Sequence, residues 1–166
     1  MIVDRMPLLA IWIALGAYFG TGVTVSLSAP AIQGTASVID GDTIEIRGER
    51  IRLDAIDAPE SSQLCLDADS KRYRCGQKSA FALADFIGRS VVSCDPKGRD
   101  RYKRVIAVCY KSETNLNAWM VSQGWAAAYR KYGIDYIPQE DDARLARRGI
   151  WAGSFEMPWD WRARNR

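Results

Sequence analysis

At 166 residues, of which 48% are hydrophobic, 26% charged and 10% aromatic, the chain has the make-up of one globular domain, not of a disordered tail or a polytopic membrane protein. It contains no histidine, which excludes Ser-His-Asp and Cys-His nucleophile systems, His-ligated zinc and any imidazole proton shuttle. Its 23 Lys and Arg against 20 Asp and Glu leave a net charge of +3, a balance that permits a polyanionic substrate without requiring one.

The chain opens with Asp4 and Arg5, then carries no charge until Asp40, and Met6 to Val25 is dominated by apolar residues. Small residues follow at Ser26, Ser28, Ala29 and Ala31. Residues 1–28 therefore read as a signal peptide, cleaved after Ser28 or Ala31, with an uncleaved N-terminal anchor as the alternative. Either reading exports the domain to the periplasm or beyond. Outside the cytosol, Cys65, Cys75, Cys94 and Cys109 imply two disulfides. No Cys-x-x-Cys pair supports zinc instead. The favoured pairs are Cys65 with Cys75, closing a loop, and Cys94 with Cys109, joining two strands across a hairpin.

From Ala36 the apolar residues alternate in short β-branched runs. Ser37 to Ile39, Thr43 to Ile46 and Arg50 to Leu53 are predicted strands, with turns at Asp40-Gly41 and Arg47-Gly48-Glu49. Pro59 ends the third strand, and Ser61 to Arg74 reads as a loop. Ala80, Phe81, Ala84 and Ile87 have helical spacing, so a helix is expected over 77–87, stopped by Gly88. Strands at 90–94 and 105–110 flank a charged loop at 95–104. Two further helices are expected at 115–123 and about 138–148, the last with Pro138 in its first turn. The order β-β-β-α-β-β-α-α describes an α+β protein, a five-stranded OB-type barrel with three packed helices. The domain spans 36–153, and 154–166 is a C-terminal tail. A core of this size needs no oligomerisation, so a monomer is expected.

Asp40, Gly41 and Asp42 form a turn at the start of one strand, and a second acidic group, Asp57 to Glu60, stands beyond the next strand but one. Carboxylates gathered at a barrel rim repel one another unless a hard cation lies between them, which is how oxygen-ligand calcium sites are built. Arg52 and Asp57 are separated by an odd number of residues. A regular strand would point them to opposite faces, so a bend near Asp54-Ala55 is required to bring both to one site.

Val38-Ile-Asp-Gly-Asp-Thr43, Arg52-Leu-Asp-Ala-Ile-Asp-Ala-Pro-Glu60, Asp100-Arg-Tyr-Lys-Arg104 and Gly149-Ile-Trp151 together resemble the successive motifs of the thermonuclease family, the staphylococcal-nuclease-like fold. The resemblance implies a calcium-dependent phosphodiesterase acting on DNA and RNA. By motif position it implies Asp42 and Asp57 as calcium carboxylates, Ala58 as a backbone-carbonyl ligand, and Arg52, Glu60 and Arg104 as the catalytic trio. The chain departs from the family at Ala58, where the best-known relatives have Thr, and at Lys103, where they often have Gly. Glu60 would act on water, and the two arginines would hold the phosphate bidentately. Tyr102, Tyr129 and Tyr132, near Lys97, Arg99, Arg101 and Lys103, offer a wall for stacked bases, with ordinary rim or core packing as the alternative; Asp40 borders the same substrate site. Trp119, Trp125 and Trp151 read as core, whereas Trp159 and Trp161 read as a tethered tail without chemistry. The alternatives to a nuclease are a non-catalytic nucleic-acid-binding OB module and, since chains resembling this one are named in succinoglycan-type pathways, a nuclease-like protein serving exopolysaccharide production. No protein partner is implied.

Overall fold

The computed structural model describes residues 30–165, so the expected signal peptide or anchor lies outside the described residues. The elements in chain order are β1 (Ile32–Asp40), β2 (Thr43–Ile46), β3 (Glu49–Leu53), β4 (Ile56–Asp57), β5 (Leu64–Leu66), β6 (Arg72–Arg74) and α1 (Cys75–Ile87). They are followed by β7 (Val91–Arg99), β8 (Val105–Lys111), β9 (Thr114–Asn115), α2 (Leu116–Ser122), β10 (Ala127–Ala128), α3 (Ile137–Leu145), a 3₁₀ turn (Gly149–Ala152) and α4 (Pro158–Arg164).

Period-two burial builds the barrel. Ile44 and Ile46 of β2, Ile51 and Leu53 of β3, and Val105, Ala107 and Cys109 of β8 all point inward and are buried. β1, β2 and β3 form an antiparallel meander, β1 also pairs with β7, and β7 pairs with β8. β8 then runs parallel to β3, matching Ile51 with Val105 and Leu53 with Ala107, and this closes the five strands into the expected OB-type barrel. α1 begins at Cys75, slightly before its predicted start, and buries Ser79, Leu83 and Ile87. Both expected disulfides are formed: Cys65 to Cys75, and Cys94 to Cys109, which face each other in the β7–β8 ladder.

Three segments differ from expectation. β7 continues through Arg99, so the charged loop shrinks to Asp100–Arg104. Pairing with β8 supplies the backbone bonds that the polar composition of 95–99 gave no sign of, and a bulge between Pro96 and Gly98 accommodates the proline. Within the expected loop at 61–74, β5 and β6 form a small hairpin. Finally, the tail is not featureless: Pro158 starts α4, a fourth helix, with Asp160 in its first turn and Arg162 and Arg164 in its last. Of the tryptophans expected in the core, Trp119 stacks on Phe86 with ring centroids 3.9 Å apart, and Trp125 packs against both hydrophobic clusters. Trp151 packs with Cys65, Cys75 and Ile150 in the smaller one.

Candidate active site

The acidic turn is built by close packing. A Cβ on Gly41 would lie 1.9 Å from Ser79 Oγ of α1 and 2.7 Å from Ala58 Cβ, so only glycine lets the β1–β2 turn sit this deep. Gly76 does the same for the following turn, where a Cβ would lie 1.8 Å from the Glu60 carbonyl oxygen. Asp42 is consequently buried. Its carboxylate accepts bonds from the Thr43 hydroxyl at 2.9 Å and from the Ala58 N–H at 3.2 Å.

β3 places Arg52 directly opposite Thr43. The bend required between Arg52 and Asp57 lies at Ala55, which adopts φ 56° and whose carbonyl accepts the Tyr129 N–H at 2.8 Å. Asp57 is thereby swung back to the same side, held in β4 by pairing with Ala127. Arg52 Nη1 lies 2.8 Å from Asp42 Oδ2 and Nη2 lies 2.8 Å from Asp57 Oδ1, so one guanidinium bridges both buried carboxylates.

Arg104 stands across the cleft. Its Nε donates to Asp100 Oδ2 at 2.7 Å and its Nη1 reaches the Thr43 hydroxyl at 3.4 Å. Lys103 makes the turn without the family's glycine by taking φ 66°. Tyr102 and Tyr132 are exposed at the rim, whereas Tyr129 is half-buried and has a ring face covered by Trp159, with centroids 5.1 Å apart and planes 3° from parallel. The cleft between these groups measures about 1210 Å³ and includes Asp40, Asp42, Arg52, Glu60, Tyr102 and Arg104 in its wall.

Arg162 is the residue that sequence reasoning missed. Its Nη1 donates to Asp57 Oδ1 at 2.9 Å and to Glu60 Oε1 at 2.7 Å, and its Nη2 donates to Asp57 Oδ2 at 2.7 Å. Pro158 and the ordered charges of Asp160, Arg162 and Arg164 signal a helix in the sequence. Nothing in the sequence signals where that helix docks, because Arg162 and Asp57 are separated by 105 positions.

The electrostatics show an acid excess. Three carboxylates, on Asp42, Asp57 and Glu60, contact the guanidiniums of Arg52 and Arg162, and a fourth carboxyl, on Asp40, stands beside them accepting the Asp42 N–H. Burial, reinforced by the neighbouring Asp42 charge, pushes the Asp40 carboxyl up to about 7. Burial would also raise Asp42, but Arg52 beside it, with bonds from Asp40, Ala58 and Thr43, holds it below the ordinary carboxylate range. Burial raises Asp57, and the Asp42 charge adds to that, against the opposing pull of Arg162 and Arg52.

The donor chemistry is that of a hard-cation site: the buried carboxylate oxygens of Asp42 and Asp57, with no nitrogen or sulfur ligand beside them. Among the described residues, no group of three or more Asp, Glu, Cys or His side chains is placed to hold a metal ion. Guanidinium groups stand between the acids instead.

The class of protein is an OB-type α+β barrel with arginine-bridged acids at its rim and a further arginine, Arg104, on the loop across the cleft. The family model described as Staphylococcal nuclease homologue matches residues 50–153, and the chain belongs to this family. Among its relatives, "Succinoglycan biosynthesis protein ExoI" of Rhizobium meliloti is 48% identical over 133 residues, covering 78% of this chain and 69% of the relative. "Micrococcal nuclease" of Shigella flexneri is 36% identical over 143 residues, covering 75% and 76%. An "Uncharacterized endonuclease" of Haemophilus influenzae is 36% identical over 133 residues, covering 75% and 69%.

Proposed function

We propose that the chain is an exported, calcium-dependent phosphodiesterase that hydrolyses single-stranded DNA and RNA. The observation that carries the reading is the pair of buried carboxylates, Asp42 and Asp57, bridged by Arg52, which lines the cleft together with Asp42, Glu60 and Arg104. The nuclease names of the relatives support it, and the two disulfides suit an oxidising compartment. Asp42, Asp57 and the Ala58 carbonyl would hold the calcium ion, which when bound supplies Lewis-acid polarisation of the phosphate. Glu60 accepts a proton from the attacking water as its oxygen bonds phosphorus, while the bond from phosphorus to the leaving sugar oxygen breaks and that oxygen takes up a proton from solvent. Arg52 and Arg104 donate N–H bonds to the phosphate oxygens from the two sides of the cleft, where charge builds in the transition state. Tyr102 and Tyr132 offer exposed rings to flanking bases.

The test is cleavage of labelled single-stranded DNA and RNA by the mature chain with calcium and then with excess chelator. Loss of cleavage in chelator is expected. Undiminished cleavage would remove calcium from the reading, and no cleavage in either buffer would favour a non-catalytic nucleic-acid-binding module. The name of the Rhizobium meliloti relative favours an exopolysaccharide pathway as the biological setting. Disruption of the gene should then change exopolysaccharide yield or chain length, and an unaltered polymer would exclude that setting.

A further inference from the structure

We infer that α4 is a removable plug in the cation site, with Arg162 as a tethered competitor for the divalent ion. The inference rests on the calcium reading above and concerns what must move before that ion can bind. Asp57 is fully buried, and its carboxylate accepts one N–H bond from Arg52 and two from Arg162. The same Arg162 guanidinium takes up Glu60 Oε1. A cation seated on Asp57 would displace at least one of these bonds, and a guanidinium left beside a divalent ion would be repelled at contact distance. Arg52 projects from barrel strand β3 and stays beside the site, whereas Arg162 can leave together with the helix that carries it. Arg162 sits on a seven-residue helix that is not part of the barrel.

The attachment of that helix suits release. The segment before it is fixed to the barrel by Leu66 pairing with Ser154 and by Gln63 Nε2 donating to the Glu156 carbonyl at 2.7 Å. Beyond Glu156, the backbone bonds of α4 among the described residues lie within the helix itself, to the carbonyls of Met157 and Trp161. Side chains hold it down: the buried Pro158, Trp159 stacked on Tyr129, and Arg162 on the acids. Swinging α4 away about Met157 would therefore free the Asp57 and Glu60 oxygens and a face of Tyr129 in one movement. The cation's apparent affinity is its intrinsic affinity reduced by the fraction of molecules with the helix undocked.

The experiment uses the mature full-length chain stripped of metal and titrated with calcium chloride by calorimetry. Wild type is compared with Arg162→Ala and with Trp159→Ala, which weakens docking but leaves every acid and arginine in place. Calcium should bind at least ten times more tightly to Arg162→Ala and several times more tightly to Trp159→Ala. In wild type, calcium should also speed tryptic cleavage after Arg162, whose side chain is 29% exposed when docked. Should Arg162→Ala fail to fold, the Trp159→Ala affinity and the wild-type cleavage rate decide. Calcium binding to wild type with equal or weaker affinity in the variants would overturn the plug and leave the calcium reading standing. Absence of calcium binding in every folded chain would overturn both.

Discussion

Replacing Arg52 with alanine tests how the acidic cluster is held together. The substitution strands Asp42 and Asp57, whose side chains are 5% and 0% exposed, without the guanidinium that bridges them. Removing one partner of a buried ion pair costs about 3–5 kcal/mol. Here the loss belongs at the lower end, about 3 kcal/mol, because Asp57 keeps Arg162 on both oxygens and Asp42 keeps the Thr43 hydroxyl and the Ala58 N–H. With a urea slope of about 1.5 kcal/mol per molar, the unfolding midpoint of the metal-free protein at pH 7 should fall by about 2 M. Asp42→Asn in the same background should recover part of the loss, since it removes the charge left unpaired. Arg52→Lys should recover less than full stability, because an ammonium lacks the planar fork that reaches both carboxylates. A midpoint shift smaller than about 0.7 M, or no recovery in the Asp42→Asn double variant, would refute the argument. Activity of Arg52 variants is therefore meaningful only where the chain is shown to be folded. Glu60, with its side chain 34% exposed, escapes that complication.

The other predictions can be measured on the same material. Because Asp40 titrates near 7 in the fold and at its ordinary value unfolded, the native state keeps a proton that the unfolded chain has released, so metal-free stability should fall between pH 4 and 7. The loss is up to about 4 kcal/mol, and Asp40→Asn should flatten it; parallel wild-type and variant urea midpoints across that range would remove the assignment. Lys103→Gly should stabilise by about 0.5–1 kcal/mol by relieving the left-handed backbone, a change read by thermal melting, and a lower melting temperature would show that the lysine side chain does more than turn the chain. Replacing Cys94 and Cys109 together by serine should cost about 3 kcal/mol in urea unfolding, and it should reduce activity more than loss of the Cys65 bridge, because the Cys94 bridge spans the base of the strand pair that leads to Arg104. Equal effects of the two deletions on activity would refute that ranking.

The barrel was legible because its signals are local. Ile44 and Ile46, Ile51 and Leu53, and Val105 and Ala107 alternate within single strands, and that alternation survives any tertiary arrangement. Residues 95–99 were not legible as strand, since charged residues in β7 become ordered only by the partner β8 brings. The candidate site was legible in part. Parity demanded a bend between Arg52 and Asp57, and Ala55 is where it occurs. Tyr129 could not be judged from its neighbours in sequence, because the ring that covers it is Trp159, in a segment whose composition gave only a tail. Arg162 shares that cause: its helix is local information, its partners are not.

The seam between β3 and β8 bears on how the protein reaches its oxidised native state. Each disulfide joins cysteines 10 or 15 positions apart, so both can close within a small hairpin or loop early in folding, when a short loop costs little entropy. The seam instead joins Ile51 to Val105 and Leu53 to Ala107, partners some fifty positions apart, and no covalent link crosses it. Oxidation can thus fix the two local units without committing the chain to a wrong closure, and it leaves the barrel's last, non-local pairing as the slow step that sets how long the folding chain stays open.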